Sequence, residues 1–140
     1  MADRIRDVMT PNPQTLFASA TVREAAETMR THDIGDVIAS DDKGGLAGIV
    51  TDRDIVVRVV AEGRDPRVTL IEEIVSRDLT AVSPDDPVER AVELMRERAV
   101  RRLPVVKQGK VVGIVSIGDL AVDRDPGSAL ADISAAPPNT

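Results

Sequence analysis

The chain reads as a mixed α/β (α+β) protein made of two copies of one β-α-β-β-α unit. Three observations predict this. Residues 21–30 (TVREAAETMR) fall on residues 87–96 (PVERAVELMR), and the halves keep an offset of 66 up to about Ser40 and 65 after it. Each copy holds an apolar pattern at helical spacing, then two short apolar runs joined by a glycine-containing turn. Each copy closes on the same phrase, GIVTDRD at 48–54 and GIVSIGD at 113–119. Two copies of so long a period predict a pseudo-twofold pair packed face to face rather than a solenoid.

The elements follow in order. A brief strand is predicted at 15–17, and its counterpart at 80–82. Val22, Ala25, Ala26 and Met29 recur at helical spacing, as do Val88, Ala91, Val92 and Met95, so both stretches are amphipathic helices. Thr21 with Glu24 forms a capping box, and Asp86-Pro87 with Glu89 puts an acceptor, a proline and an acid at the second start. Strands follow at 37–40 and 47–50, then at 103–106 and 111–115, joined by the turns DDKGG and KQG. A second helix runs over 52–60 in the first copy, and a shorter one over 117–122 in the second. The polar stretch AEGRDPRV (61–68) reads as a linker. Beyond it, Thr69 and Glu72 are expected to cap a short helix ending at Val75, with IRDVM (5–9) as its counterpart. The expected division is 1–64 for the first copy with its lead-in, 65–125 for the second, and 126–140 for a mobile C-terminal tail rich in small residues and proline.

Composition narrows the functional classes. Of 140 residues 42% are hydrophobic, enough for a core, yet no stretch approaches the ~20 apolar residues of a membrane span. No apolar run follows the basic residues of the N-terminus, so a secretory signal is not expected. The absence of cysteine excludes thiolate metal sites and fits a cytoplasmic protein. Lys and Arg total 18 against 24 Asp and Glu, a net charge of −6, which disfavours nucleic acid. One Phe, with no Trp or Tyr, leaves almost no aromatic surface for stacking bases.

The repeated phrase carries the chemistry. Thr51-x-x-Asp54 and Ser116-x-x-Asp119 are helix starts, where a hydroxyl and a carboxylate serve as caps. Both use Asp where Glu is the more usual capping partner. The shorter acid leaves room at a helix N-terminus, whose amides and dipole favour an anion. Cap and ligand site are both open readings of this motif. Arg96, Arg98, Arg101 and Arg102 form a charge run, which reads either as a solvated helix end or as a phosphate contact, since its last two members enter a strand where one should point toward a cleft. Arg53, inside the first motif, is either a phosphate contact or a surface residue. His32 has no second His or Cys to complete a zinc site, and no Ser-His-Asp set or glycine-rich phosphate loop occurs, so no enzyme activity is expected.

Together, IRDVMTPNP (5–13), GIVTDRDI (48–55), RRLPVV (101–106) and GIVSIGDL (113–120), in this order and duplicated, resemble a stand-alone tandem of CBS domains of bacterial type, a Bateman module, over residues 3–123. The resemblance implies clefts between the copies that bind adenosine compounds such as AMP, ADP, ATP or S-adenosylmethionine as regulatory ligands rather than required cofactors. It implies that Asp54 and Asp119 hold ribose with Thr51 and Ser116 beside them. Gln14 with Leu16, and Thr80 with Val82, would line adenine pockets, and Arg101 and Arg102 would face phosphate. The first copy departs from this pattern: Gly35-Asp36 stands where the second has Arg101-Arg102, so the two sites should be unequal. A homodimer is expected, packed through the Val22/Ala26/Met29 and Val88/Val92/Met95 faces, with output passing to an unknown effector protein. The rival reading is a ligand-free dimeric interaction scaffold.

Overall fold

The computed structural model describes residues 2–75 and 80–136, and the chain divides into two units, Pro13–Leu79 and Met1–Asn12 with Thr80–Thr140. This spatial division differs from the sequence division at 64/65. Ile5 is fully buried in the unit of the second repeat, where its amide donates to the Asp86 carbonyl at 3.0 Å. Ile71, its counterpart, is fully buried in the unit of the first repeat, with its amide on the Ala20 carbonyl at 2.9 Å. Each lead-in turn thus seals the core of the other copy, because a branched apolar side chain gains most where it is wholly removed from water.

In the first unit the sheet has the order β2 (Thr15–Phe17), β3 (Asp36–Ser40), β4 (Leu46–Thr51). β2 runs parallel to β3 with Leu16 opposite Ala39, and α1 (Val22–His32) makes the crossover. β3 and β4 are an antiparallel hairpin. Its turn is held by the Asp41 carboxylate, which accepts from the amides of Lys43 (2.9 Å) and Gly45 (2.8 Å), while Gly44 supplies φ +82°. The capping box of α1 forms as expected: the Glu24 amide donates to Thr21 Oγ1 at 3.2 Å, and the Thr21 amide to the Glu24 carboxylate at 2.7 Å. Val22, Ala25 and Met29 face a core with Val37, Ala39, Val50, Val59 and Ile74. β4 leads into α2 (Asp52–Ile55), which continues as a π-helical turn over Val56–Val60.

In the second unit the order is β1 (Thr10–Pro11), β6 (Lys110–Ser116), β5 (Arg102–Lys107), all antiparallel neighbours. α3 (Val88–Arg98) packs Val88, Ala91, Leu94 and Met95 onto Val82, Leu103, Val105, Val115 and Leu120. α4 (Ile117–Arg124) follows β6, and α5 (Ala129–Ala135) packs on α4. Among the described residues no helix is long and apolar enough to cross a membrane.

Several expectations need correction. The strand expected at 80–82 is a single parallel bridge, Val82 to Val105. Extending it toward Thr80 would need an N–H from residue 104, and Pro104 has none. Leu70, not Thr69, precedes the short turn Ile71–Glu73, and its amide donates to the Glu73 carboxylate at 2.6 Å. Thr69 instead donates its hydroxyl to the Asp65 carbonyl at 2.8 Å. Pro87 is the N-cap of α3 without a side-chain cap, because the Asp86 carboxylate turns back to the Ser83 amide at 2.9 Å. The faces expected to form a dimer are largely spent: Val22, Met29, Val88 and Met95 lie in the cores of their own units, leaving Ala26 and Val92 exposed. Within the stretch expected to be a mobile tail, Ser128 caps α5 by accepting from the Ala131 amide at 3.0 Å, and Ala131 is buried. Residues 137–140 of that stretch lie outside the described residues.

Candidate functional site

Both repeated motifs sit where a strand turns into a helix. Thr51 ends β4 and caps α2; Ser116 ends β6 and caps α4. In the first, the Asp54 amide donates to Thr51 Oγ1 at 3.1 Å, and the Thr51 amide to Asp54 Oδ2 at 2.9 Å. In the second, the Asp119 amide donates to Ser116 Oγ at 3.2 Å, and the Ser116 amide to Asp119 Oδ2 at 2.9 Å. The two constellations are superimposable in their bonding, and each hydroxyl and one carboxylate oxygen serve as caps. Asp54 Oδ1 lies 4.0 Å from the guanidinium Nε of Arg58. All four side chains are half-buried, and the N-cap amide of each motif holds its carboxylate in place.

Strand register decides what stands beside each motif. Arg102 is directly opposite Ser116, and the Arg101 carbonyl accepts the Ile117 amide at 2.9 Å. The two residues beside the second motif are therefore both exposed arginines. In the first unit Asp36 is opposite Thr51, and the Gly35 carbonyl accepts the Asp52 amide at 3.0 Å. The backbone frame is the same, with a carboxylate in place of a cation. Arg53, on the first turn of α2, is exposed.

The remaining predicted residues spread out. Gln14 is exposed, with its carbonyl accepting the Ile38 amide at 2.9 Å. Leu16 is half-buried against the first unit's core. Thr80 is half-buried, and Val82 is 3% exposed inside the second unit's core, so Val82 offers a base little beyond its backbone. Among the described residues no group of three or more His, Asp or Glu side chains is arranged to hold a metal ion.

One feature of the site was not read from the sequence. A cavity of about 560 Å³ in the second unit is lined by Met95, Val100, Arg101, Ile117 and Leu120, with Leu130 of α5 as one wall. Nothing local in the sequence signals it, because Leu130 comes to its wall only through the packing of α5 on α4.

Comparison with known proteins agrees with this frame. The CBS domain family model matches twice, over residues 5–61 and 71–122. The CBS domain-containing protein YhcV of Bacillus subtilis is 41% identical over 134 residues, covering 93% of this chain and 94% of that protein. The crystal structure of Hypoxic Response Protein I with two coordinated zinc ions is similar, with a TM-score of 0.78 at 33% identity over 88% of this chain and 99% of that one. So is the CBS domain pair of protein MJ0100 in complex with 5′-methylthioadenosine and S-adenosyl-L-methionine. Its TM-score is 0.79 at 28% identity, over 89% of this chain and 98% of that one.

Proposed function

Since the chain belongs to the CBS-domain family and is a pair of such domains, a regulatory module, we propose that it senses an adenine nucleotide at its hydroxyl–carboxylate motifs. The observation that supports this reading is the register of β5 on β6, with Arg102 opposite Ser116 and the Arg101 carbonyl on the Ile117 amide. A helix start with a hydroxyl, a carboxylate and adjacent arginines has an acceptor for a ribose diol and cations for phosphate. The likeness to a CBS pair that holds two adenosine compounds supports the ligand class. The Asp119 motif is the preferred site, with AMP, ADP, ATP or S-adenosylmethionine as ligand; the Asp54 motif, facing Asp36, is the weaker one. Thr51 and Arg53 would serve that weaker site. Gln14 with Leu16, and Thr80 with the backbone of Val82, would border the base.

No catalytic step is part of the proposal. The ligand acts through its differential affinity for two arrangements of the chain or of a homodimer, and the response passes to an effector protein in the cytoplasm. Calorimetry with AMP, ADP, ATP, NAD and S-adenosylmethionine tests it: at least one adenosine compound should bind and raise the melting temperature. A second reading, the ligand-free dimeric scaffold, draws on the fact that both motifs already act as complete caps. That scaffold would show no shift with any of the five.

A further inference from the structure

We propose that α5 is an intramolecular cover of the second unit's motif, so that a ligand reaches Ser116 and Asp119 only when α5 moves aside. This rests on the nucleotide reading and adds its regulation. The contact is specific. A Cβ placed on Gly118, in the first turn of α4, would meet Ser134 Oγ of α5 at 2.5 Å and Ser134 Cβ at 3.0 Å. It would also lie 3.6 Å from Ser116 Oγ, so Ser134 rests on the turn that presents the site hydroxyl. In the first copy the same motif position is Arg53, exposed. The copy that carries a cover has the one residue without a side chain there, and a side chain at that position would have to displace Ser134.

The cover also reaches the cation side. Leu130 of α5 and Asp125 before it line the same cavity as Arg101 and Ile117. A carboxylate-bearing residue thus borders the same cavity as the arginine assigned to phosphate.

The attachment suits a reversible element. A helix of seven residues is far below the ~12–15 that stand alone in water, so α5 depends on α4 for its order. Ile133 is 71% exposed, so the contact is confined to one face. Gly127, in the connection, has open space around it.

Two variants test the cover, with ATP as the probe. The first ends the chain at Asp125. The second keeps the full chain and joins Gly118→Cys to Ser134→Cys; with no native cysteine, this pair is the only disulfide that can form within one chain. Their Cβ separation of 3.0 Å needs only about half an ångström of adjustment to reach the ~3.5–4.5 Å of a disulfide. A cover closed about nine-tenths of the time weakens apparent affinity about tenfold, so truncation should tighten ATP by that factor. The oxidised cysteine pair should bind more weakly than the same protein reduced. Equal affinity of parent, truncated, oxidised and reduced forms overturns the cover while leaving the nucleotide site standing. If neither the parent nor the truncated chain binds ATP, AMP or S-adenosylmethionine, the nucleotide reading fails and the cover falls with it.

Discussion

The two units start from the same repeat, and three of the places where they differ have a clear physical consequence. Ile38 donates its amide to the Gln14 carbonyl at 2.9 Å, and β2 extends over three residues. Its counterpart Pro104 has no N–H, and the matching strand shrinks to the bridge at Val82. Beside the motif, the first copy has Gly35 and Asp36 where the second has Arg101 and Arg102, reversing the sign of the local charge within one backbone frame. Inside the motif, Arg53 is free to extend, while Gly118 receives Ser134. The lesson is that a duplicated scaffold tolerates changes which keep the caps and the core yet alter what approaches the site. Both caps keep their bond lengths within 0.1 Å of each other, 2.9 and 2.9 Å on the carboxylate side and 3.1 and 3.2 Å on the hydroxyl side.

The strongest way to break the comparison is through the exchanged lead-ins. Ile5→Ala should destabilise the second unit and Ile71→Ala the first, each by about 2–5 kcal/mol, since both side chains are fully buried. Hydrogen exchange would show the loss of protection in β5 and β6 for Ile5→Ala, and in β3 and β4 for Ile71→Ala. Protection lost in the unit of the residue's own repeat instead would contradict the exchange.

The motif carboxylates come next. A charge-assisted hydrogen bond contributes about 1.5–3 kcal/mol, so Asp119→Asn should weaken nucleotide about tenfold or more with little change in melting temperature. Asp54→Asn should cost less, because its copy lacks the cations. Charge reversal of Arg101 and Arg102 should reduce affinity for ATP far more than for adenosine, and equal losses would remove these residues from the phosphate.

A smaller effect sharpens the strand difference. Ile38→Pro should cost the first unit about 1–3 kcal/mol by deleting the bond to Gln14. Pro104→Ile should stay within about 1 kcal/mol in urea unfolding, since the bond it allows is offset by a freer unfolded chain.

The smallest effect is on acid stability of the first unit. The Leu70 amide and the Arg64 guanidinium hold the exposed Glu73 carboxyl below its ordinary 4.5. Arg67 likewise lowers Asp65 through a side-chain hydrogen bond. With folded values below unfolded ones, the stabilisation is present above the unfolded pKa and is lost as pH falls through the folded value. Glu73→Gln should therefore flatten the fall of melting temperature below about pH 4.5, an effect kept small by solvent screening.

The sequence by itself determined the local frame. Helical spacing placed α1 and α3 because burial on one face imposes a period that any reader can find, and the Thr21–Glu24, Thr51–Asp54 and Ser116–Asp119 caps were legible because their partners lie three residues apart. The family was legible for the same reason, as a sum of local phrases. Tertiary structure alone decided which lead-in serves which core, since Ile5 and Ile71 look alike in sequence and differ only in where the chain carries them. It decided that Ala26 and Val92 face outward although they share the apolar pattern, because a helix of this width buries only one stripe. It decided that 129–135 is a helix, since seven residues rich in Ala order only against a neighbour, and no local pattern announces that neighbour. Gly118 is the sharpest case: as a letter it is a gap in a repeat, and only the presence of Ser134 above it supplies the reason.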